Sequence, residues 1–410
     1  MEVISSSHAD TKQADYADAV PHAVPDTPTG AAFVPPSRAI ASHRNAVKFA
    51  RAFAWWRRLR RQRLGFASLV VFAVLFVASL LAGMIANDRP LVARYHGQWL
   101  FPALHTYADS DFGGALPTEA DYLDSFIREQ FSRDGNFALY APDPYRYDTV
   151  NYHAAQPFPA PPSVQNWLGT DAYGRDVFAR VLYGFRSSVL FALALTLTGA
   201  LVGMLAGALQ GYYAGLVDLL GQRVIEVWTA LPDLYLLIIL SSIFEPSLVL
   251  LFLLLAAFGW ITLSDYVRGE FLQKRALEYV RAARTLGLSD RQIIWRHILP
   301  NSLTPVITWL PFRMSAAIVS LASLDFLGLG VPPPQPSLGE LLAEGKGHLS
   351  AWWISATAIA ALVVTLLLLT FIGDALRESF ATDRNRTADG ADADDTNTHG
   401  GDTHTAGAAR

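Results

Sequence analysis

Residues 277–301 read LEYVRAARTLGLSDRQIIWRHILPN, and this stretch decides how the rest of the chain is interpreted. It is polar and rich in arginine, yet it lies between long apolar segments. Gly287 interrupts a helical pattern, Ser289 and Asp290 are good N-caps for a second helix, and Leu299 with Pro300 predicts the end of that helix. The stretch therefore predicts two short helices joined by a glycine turn.

Two small residues give the first of these helices a surface that another protein can approach closely. Ala282 and Ala283 follow Glu278 on the same predicted helix. A membrane protein that exposes such a unit on its cytoplasmic side offers a docking helix to a soluble partner. The alternative interpretation is an ordinary solvated loop that contains a helix.

The composition indicates a membrane protein before any motif is considered. Hydrophobic residues make up 52% of the 410 residues and charged residues only 17%, so many segments cannot form solvated surface. Residues 65–87 carry no charge, and these 23 residues, at about 1.5 Å each, can cross a hydrocarbon core of about 30 Å. Six spans are predicted, the fifth being weakest because Arg313 interrupts it: 65–87, 187–217, 224–244, 246–264, 303–324 and 351–373.

The distribution of basic residues predicts the orientation. Residues 88–186 contain twelve acidic and eight basic residues, with no lysine, and are expected outside. The positive-inside rule places the N-terminus in the cytoplasm, and six spans then place residues 277–301 and the C-terminus there too. The basic residues before the first span, with no acidic residue among them, are Arg44, Lys48, Arg51, Arg57, Arg58, Arg60, Arg61 and Arg63.

The chain divides into a membrane part and two tails of low complexity. The tails mix Ser, Ala, Asp, Thr and Gly without apolar periodicity, which predicts disorder. We expect a disordered cytoplasmic tail at 1–43, a basic segment with the first span at 44–87, a periplasmic insertion at 88–186, a five-helix transmembrane domain at 187–376, and a disordered cytoplasmic tail at 377–410.

The stretch at 277–301, called the docking stretch from here on, resembles the EAA loop of the membrane subunits of bacterial ABC importers. In that loop Glu-Ala-Ala is followed by three residues, Gly, nine residues and then Ile-x-Leu-Pro. The matching positions here are Ala282, Ala283, Gly287, Leu299 and Pro300. Glu278 is not at the position of the consensus Glu but three residues before it. Arg281 stands where the consensus has Glu, and His297 where it has Ile. The resemblance implies that these residues dock an ATPase.

Further motifs resemble the C-type permease subunit of dipeptide and oligopeptide ABC importers, and most closely its Yej-type subgroup, linked to peptide and microcin C uptake. They are the WLGTDAYGRD run at 167–176, GYYAG at 211–215 with Asp218, SLDFLGLG at 323–330, NDRP at 87–90 and SDFGG at 110–114. The resemblance implies an all-α membrane protein with the six helices of the type I importer permease fold. It also implies a B-type permease partner, ATP-binding subunits, a periplasmic peptide-binding protein, and a bacterial inner-membrane location.

Three charged residues within apolar spans are candidates for the translocation path, because charge at bilayer depth is costly and usually faces a bundle interior. They are Arg313, Asp233 and Glu226. Asp233 follows Pro232 and could instead satisfy backbone freed by a kink, and Glu226 could pair with Arg223 one turn away. Arg313 has no partner nearby in sequence, and one of the two acidic residues is its expected partner.

The sequence contains no motif for catalysis. HExxH, CxxC, GxSxG and the phosphate loop GxxxxGK[ST] are all missing from the sequence. We therefore expect a transport subunit that is not itself an enzyme and has no cofactor, no metal and no nucleic-acid partner. A membrane-anchored sensor would need a cytoplasmic signalling domain, and a membrane enzyme would need titratable residues clustered at one bilayer face; the sequence shows neither pattern.

Overall fold

The computed structural model describes residues 56–133, 135–152, 154 and 156–398, with side chains as far as residue 380. The predicted tail at 1–43 lies outside this range. The first span comprises helix α1 (Arg63–Leu80) and the short helix α2 (Ala82–Ile85). Gly65 lets α1 approach the last helix closely, because a Cβ at this position would collide with Ala375.

The segment between the first and second spans contains a small β-sheet, which the all-α prediction did not include. Its elements are β1 (Val92–Tyr95), β2 (Gln98–Leu100), helix α3 (Ser125–Ser132) and β3 (Phe137–Leu139). The strands are antiparallel in the order β2-β1-β3. Behind them Phe112 packs edge-on against Tyr122 and close to Phe131, with ring centroids 5.8 and 5.2 Å away. This aromatic core gives the segment a folded structure of its own.

The centre of the membrane part is a pair of closely packed helices. Helix α4 (Val177–Tyr213) is followed by α5 (Gly215–Thr229), α6 (Asp233–Ile243), α7 (Leu248–Gly259) and α8 (Ile261–Lys274). Gly199, Gly203, Gly207 and Gly211 recur every four residues along α4 and face α7 and α8. A Cβ at Gly203 would lie 2.7 Å from the carbonyl oxygen of Trp260. Glycine at these positions therefore allows the backbones to touch, as in other small-residue helix pairs in membranes.

The predicted span at 224–244 is a bent pair. Helices α5 and α6 meet at an angle of 61°, because Pro232 cannot continue the first helix and serves as the N-cap of the second. Of their residues, only Ile225 on α5 and Leu237 on α6 are buried. The bent pair is thus the part of the membrane domain that packs least against its own chain.

The docking stretch leads directly into the next span. It comprises α9 (Glu278–Thr285), α10 (Asp290–Ile293) and a π-helical turn at Ile294–Ile298, followed by α11 (Leu299–Phe326). The prediction that Leu299 and Pro300 end the second helix is wrong. Pro300 lies in the first turn of α11, where its missing N–H is tolerated, and the π-helical turn shifts the hydrogen-bond register just before it.

The chain ends with α12 (Leu338–Gly347) and α13 (Trp352–Thr398). Five long apolar helices, one of them formed by α7 and α8 together, and the bent pair account for the six predicted spans. The mostly helical membrane fold is confirmed. Composition predicted disorder from residue 377, whereas the helix continues to Thr398. Composition indicates that this segment has little apolar surface to bury. An existing helix can nevertheless extend into it, because each added residue forms one more backbone hydrogen bond.

Candidate functional site

Helix α9 has one face packed on its own chain and one face open. Val280 and Ala283 are buried, in a cluster that includes Ile293 and Ile298. Glu278 and Ala282 are exposed. Ala282 is therefore positioned to contact another protein. The prediction that Ala283 also leaves room for a partner is wrong, because Ala283 lies three residues after Val280, on the same face of the helix, and this face packs against the core.

Gly287 matters for its backbone conformation. Its φ angle is +78°, and the space around a Cβ at this position is empty. The amide of Gly287 donates to the carbonyl oxygen of Arg284 at 2.9 Å, and the amide of Leu288 donates to that of Ala283 at 3.2 Å. These bonds terminate α9 in a left-handed turn, which favours glycine. The predicted glycine turn between the two helices is therefore present.

The second helix starts as the sequence predicted. The Ser289 hydroxyl accepts from the Gln292 amide at 3.4 Å, and the Gln292 side chain accepts from the Ser289 amide at 3.2 Å. Asp290 stands in the first turn, where a carboxylate is favourable. This capping box fixes the angle between α9 and the helix that runs into the membrane.

The docking stretch is attached to the end of α4 through Tyr212. The Tyr212 hydroxyl donates to Asp290 Oδ1 at 2.5 Å, and the guanidinium of Arg284 lies 5.3 Å from the centre of the Tyr212 ring. Arg275 donates to the Tyr212 carbonyl oxygen at 3.0 Å. One tyrosine, itself almost fully buried, thus joins α9, α10 and the end of α8 to α4.

Other residues of the GYYAG run strengthen this junction. A Cβ at Gly211 would lie 2.6 Å from the Arg268 carbonyl oxygen, so α4 and α8 are in contact here. Arg268 also binds both carboxylate oxygens of Asp218, with Nη2 donating to Oδ2 at 2.7 Å. Lys274 donates to the carbonyl oxygen of Asn301 at 2.6 Å, next to Pro300. The docking stretch therefore rests on a rigid platform.

A second cluster lies at the opposite end of α4 and is formed by the WLGTDAYGRD run. Arg180 is completely buried and donates to Glu340 Oε2 at 2.5 Å and to the Tyr147 carbonyl oxygen at 3.2 Å. Arg175 donates to Asp171 Oδ2 at 2.5 Å, and Asp171 Oδ2 lies 3.4 Å from Arg180 Nε. These contacts tie α4 to α12 and to the segment before α4.

Two buried carboxyl groups flank this cluster. Asp176 caps α4 by accepting from the Ala179 amide at 2.8 Å, and it also accepts from Asn166 at 2.8 Å. Burial, together with the neighbouring Asp176 carboxyl, raises the pKa of Asp143 to about 8. Burial also raises the pKa of Asp176, so both carboxyl groups hold a proton more readily than exposed ones do. Asp176 is thus the N-cap of α4.

Comparison with known proteins identifies the family. Residues 199–384 match the family model of the binding-protein-dependent transport system inner membrane component, and residues 54–98 match the N-terminal transmembrane domain of oligopeptide transport permease C. The inner membrane ABC transporter permease protein YejE of Escherichia coli is 51% identical over 327 residues, which cover 80% of this chain and 96% of that protein. The chain belongs to the family of binding-protein-dependent inner-membrane permeases.

Other relatives have the same type of name. The peptidoglycan transport system permease protein YejE of Agrobacterium fabrum is 42% identical, covering 79% of this chain and 91% of that protein. The oligopeptide transport system permease protein OppC of Mycobacterium tuberculosis is 34% identical, covering 58% and 81%. A chain of the MetNI methionine ABC transporter, solved facing inward, matches with a TM-score of 0.42 at 15% identity, covering 49% of this chain and 96% of that chain.

The resemblance to Yej-type peptide permeases is therefore confirmed. The protein is a multi-pass inner-membrane transport subunit, and its family works with ATP-binding subunits and a substrate-binding protein. Among the residues that the structure describes, no group of His, Cys, Asp and Glu could hold a metal ion.

The structure does not bring the three path candidates of the permease together. Glu226 pairs with Arg223, with Oε2 and Nη1 separated by 2.5 Å, and both side chains are largely exposed. Asp233 is exposed and accepts from the Leu234 amide at 2.8 Å at the start of α6. The expected pairing of Arg313 with one of these acids is absent from the part of the chain that the structure describes, where Glu226 binds Arg223 instead.

Several functional residues of the permease were missed from the sequence. The glycine repeat on α4 could have been found from its spacing of four residues. Glu340 and Glu344 are likewise four residues apart, on α12. Their partners lie about 160 residues earlier in the chain, and no local sequence pattern connects the glutamates with these partners. Tyr212 stands in a motif that the sequence analysis recognised without assigning a contact.

Proposed function

We propose that this permease forms half of the path by which an ATP-driven importer moves peptides from the periplasm to the cytoplasm. The names of the relatives support peptides as the cargo. The attachment of α9 to α4 through Tyr212 carries the proposal, because it connects an exposed docking face to a helix that crosses the membrane. The permease transmits movement from ATP-hydrolysing partner subunits and hydrolyses nothing itself.

The length of α4 supports the proposed mechanical role. Its 37 residues extend about 55 Å at roughly 1.5 Å per residue, more than the hydrocarbon thickness. The docking stretch contacts one end, and the cluster of Arg180, Asp171 and Glu340 holds the other. A displacement of α9 by closing ATPase subunits would therefore move α4 together with the packed α8, in the rocking motion that alternating access requires.

The contacts also support the proposed orientation. Helices α4 and α12 meet at the end of α4 that follows the predicted periplasmic insertion, whereas the docking stretch meets the end of α4 predicted to be cytoplasmic. Six spans with both termini in the cytoplasm satisfy both sets of contacts. The basic residues before α1 give the direction.

The bent pair is the proposed contact surface for a B-type permease partner and for the path. Exposed apolar side chains such as Val227 and Leu234 directly follow the exposed acids Glu226 and Asp233 in the chain. Lipid would solvate the apolar residues but not the acids. A partner subunit that encloses a water-filled path between the two chains accommodates both, which supports Glu226 and Asp233 as path residues.

The docking proposal is tested by enlarging Ala282. Tryptophan at this exposed position meets nothing in its own chain but occupies the space of a docked ATPase, and overpacking costs about 1–3 kcal/mol. We expect Ala282→Trp to reduce uptake of a labelled tripeptide about tenfold in a deletion strain, and to weaken co-purification of the ATPase. Ala282→Ser, which remains small, is the control and should transport normally.

Ala283→Trp separates docking from folding. Since Ala283 is buried in the permease, this change should reduce the abundance of the protein as well as uptake. Normal uptake by Ala282→Trp at equal membrane abundance, with the ATPase still bound, would rule out α9 as the docking surface.

The orientation is tested with reporter fusions at exposed positions. A reporter that is active only outside the cytoplasm should be active after Val164 and after Leu349, which are 95% and 84% exposed. The same reporter should be silent after Leu286 and after Phe380. Activity at Leu286 and silence at Val164 would reverse the orientation.

A further inference from the structure

A short helical turn rich in arginine precedes the first span. Residues 56–61 read WRRLRR and are helical, and Gln62 separates them from α1. Gln62 is extended, with φ −83° and ψ 91°, so the turn and α1 do not share one axis. With Arg63, the first residue of α1, residues 56–63 contain five arginines and no acidic residue. These eight residues are called the arginine turn below.

One side of the arginine turn is fixed against the protein. Leu59 is only 2% exposed, and its carbonyl oxygen accepts from the Gln62 amide at 3.1 Å. Just beyond the turn, Gly65 lies against Ala375 of the last helix, α13. The turn is therefore held beside the start of α1, where the apolar span begins.

The other side of the turn presents positive charge. Arg57, Arg60, Arg61 and Arg63 are exposed, and none of them forms an ion pair with a residue that the structure describes. Arg57 and Arg61 are four residues apart, a spacing at which like charges on a helix destabilise each other. A partner that carries several negative charges would remove this repulsion.

Two aromatic rings place the turn at the level of the membrane surface. The guanidinium carbon of Arg60 lies 5.3 Å from the centre of the Trp56 ring and 5.8 Å from that of Phe66, and the two rings meet edge-on at 6.0 Å. Phe66 belongs to the span, whereas tryptophan is enriched at the boundary between bilayer and water. Stacking occupies the flat face of the guanidinium and leaves its N–H donors, which lie in the plane, for an acceptor.

An apolar groove of about 410 Å³ lies next to the turn, between α1 and α13. Apolar side chains of both helices line it, namely Leu64, Phe371 and Ala375. Asp374 and Glu378 also line the groove and repel a phosphate group there, so the groove suits a hydrocarbon chain. A phospholipid combines such a chain with a phosphate for the exposed arginines, whereas an acidic peptide has only the charge.

We propose that the arginine turn binds the headgroups of anionic phospholipids such as phosphatidylglycerol and fixes the start of α1 at the membrane surface. The planar guanidinium matches phosphate oxygens with two parallel hydrogen bonds. Each basic residue near an anionic bilayer strengthens binding about fivefold. The proposal goes beyond peptide transport and does not depend on it, because lipid binding needs neither cargo nor ATP.

The test measures binding of phosphatidylglycerol that carries a fluorescent label on its acyl chain. The full-length permease with its partner subunits is titrated in detergent solution at low ionic strength, because salt screens surface charge, and binding is followed by fluorescence anisotropy. Unlabelled phosphatidylglycerol should displace the probe at least about tenfold more effectively than phosphatidylcholine, whose headgroup has no net charge. Inorganic phosphate at the same concentration should not displace it, because it has no hydrocarbon chain.

Matched variants assign the signal to the arginine turn. The double variant Arg57→Gln with Arg61→Gln keeps the stacked Arg60 and should weaken binding of the probe about twentyfold, about fivefold for each charge. Replacing the same two residues with lysine keeps the charge and should retain most of the binding. The control is Arg94→Gln with Arg133→Gln, which removes two exposed arginines from the segment between the first two spans and should bind the probe as the unmodified chain does.

Three results would overturn the proposal. They are equal displacement by phosphatidylglycerol and phosphatidylcholine, unchanged affinity in the double glutamine variant, and displacement by inorganic phosphate alone. The acidic residues after Phe380, among them Asp392, Asp394 and Asp395, are the other possible partner of the arginines. A chain that ends at Phe380 should bind the probe as the full chain does; a marked rise in its affinity would assign the arginines to that acidic segment and exclude lipid as their partner.

Discussion

Replacing Arg180 with methionine should remove most of the folded permease from the membrane. The side chain is completely buried and contacts Glu340, Asp171 and the Tyr147 carbonyl oxygen. Methionine fills a similar volume but leaves Glu340 without its 2.5 Å partner, and leaves Asp171 with Arg175 alone. Breaking a buried ion pair by removing one partner typically costs about 3–5 kcal/mol, a large share of the stability of a folded protein.

The loss is measured as membrane abundance and as the thermal midpoint of the purified protein. Arg133→Met is the control, because the pair of Arg133 with Glu129 is exposed on α3 and exposed pairs contribute about 0–1 kcal/mol. Adding Glu340→Gln to Arg180→Met should restore part of the stability, since it removes the carboxylate that has lost its partner. A midpoint for Arg180→Met equal to that of the control would contradict the structural role of the cluster.

The membrane fold could be predicted from the sequence because long uncharged segments have few alternatives to spanning a bilayer. The breaks within spans were harder to predict. Pro232 bends a span by 61°, whereas Pro300, Pro305 and Pro311 lie within one helix. The difference depends on where the freed carbonyl groups find donors, and hydropathy carries no information about that.

The docking site could be predicted in its local parts. Helix caps and glycine turns depend on a few neighbouring residues, so Gly287 and Ser289 were assigned correctly to a turn and a helix start. Which alanine faces a partner depends on what packs beneath the helix. Val280 and Ala283 are three residues apart, a spacing that is typical of one buried helix face, and both are buried. The partners of Arg180 could not be predicted, because they are distant in sequence.

Arg313 lies within the span formed by α11, and its environment limits what it can do. The side chain is partly buried, and among the described residues it has no hydrogen-bond or ion-pair partner. A Cβ at Gly259, the last residue of α7, would lie 2.5 Å from Arg313 Nη2. The guanidinium therefore sits against the junction of α7 and α8, inside the span that the two helices form together.

This environment leaves the charge of Arg313 without a partner. An arginine at the centre of a span costs about 2.5–3.5 kcal/mol on insertion scales, and none of the described residues forms an ion pair with Arg313 to offset that cost. The cost is offset if the guanidinium faces a water-filled path, in which it can also meet the carboxylate of a passing peptide. We infer that Arg313 faces the path and not lipid.

Arg313→Leu should then reduce peptide uptake about thirtyfold at equal membrane abundance, since losing one partner of a desolvated charge pair costs at least about 2 kcal/mol. Arg313→Lys keeps the charge and should retain part of the uptake. Gly259→Ala keeps the arginine but displaces its guanidinium, and should give an intermediate rate, whereas Ala316→Leu, an exposed position one turn away on α11, should transport normally. Uptake is measured with labelled trialanine and divided by the amount of permease in the membrane. If Arg313 only reached out of the bilayer toward water, leucine would be tolerated or would raise abundance, and an unchanged rate per molecule in Arg313→Leu would exclude a role in the path.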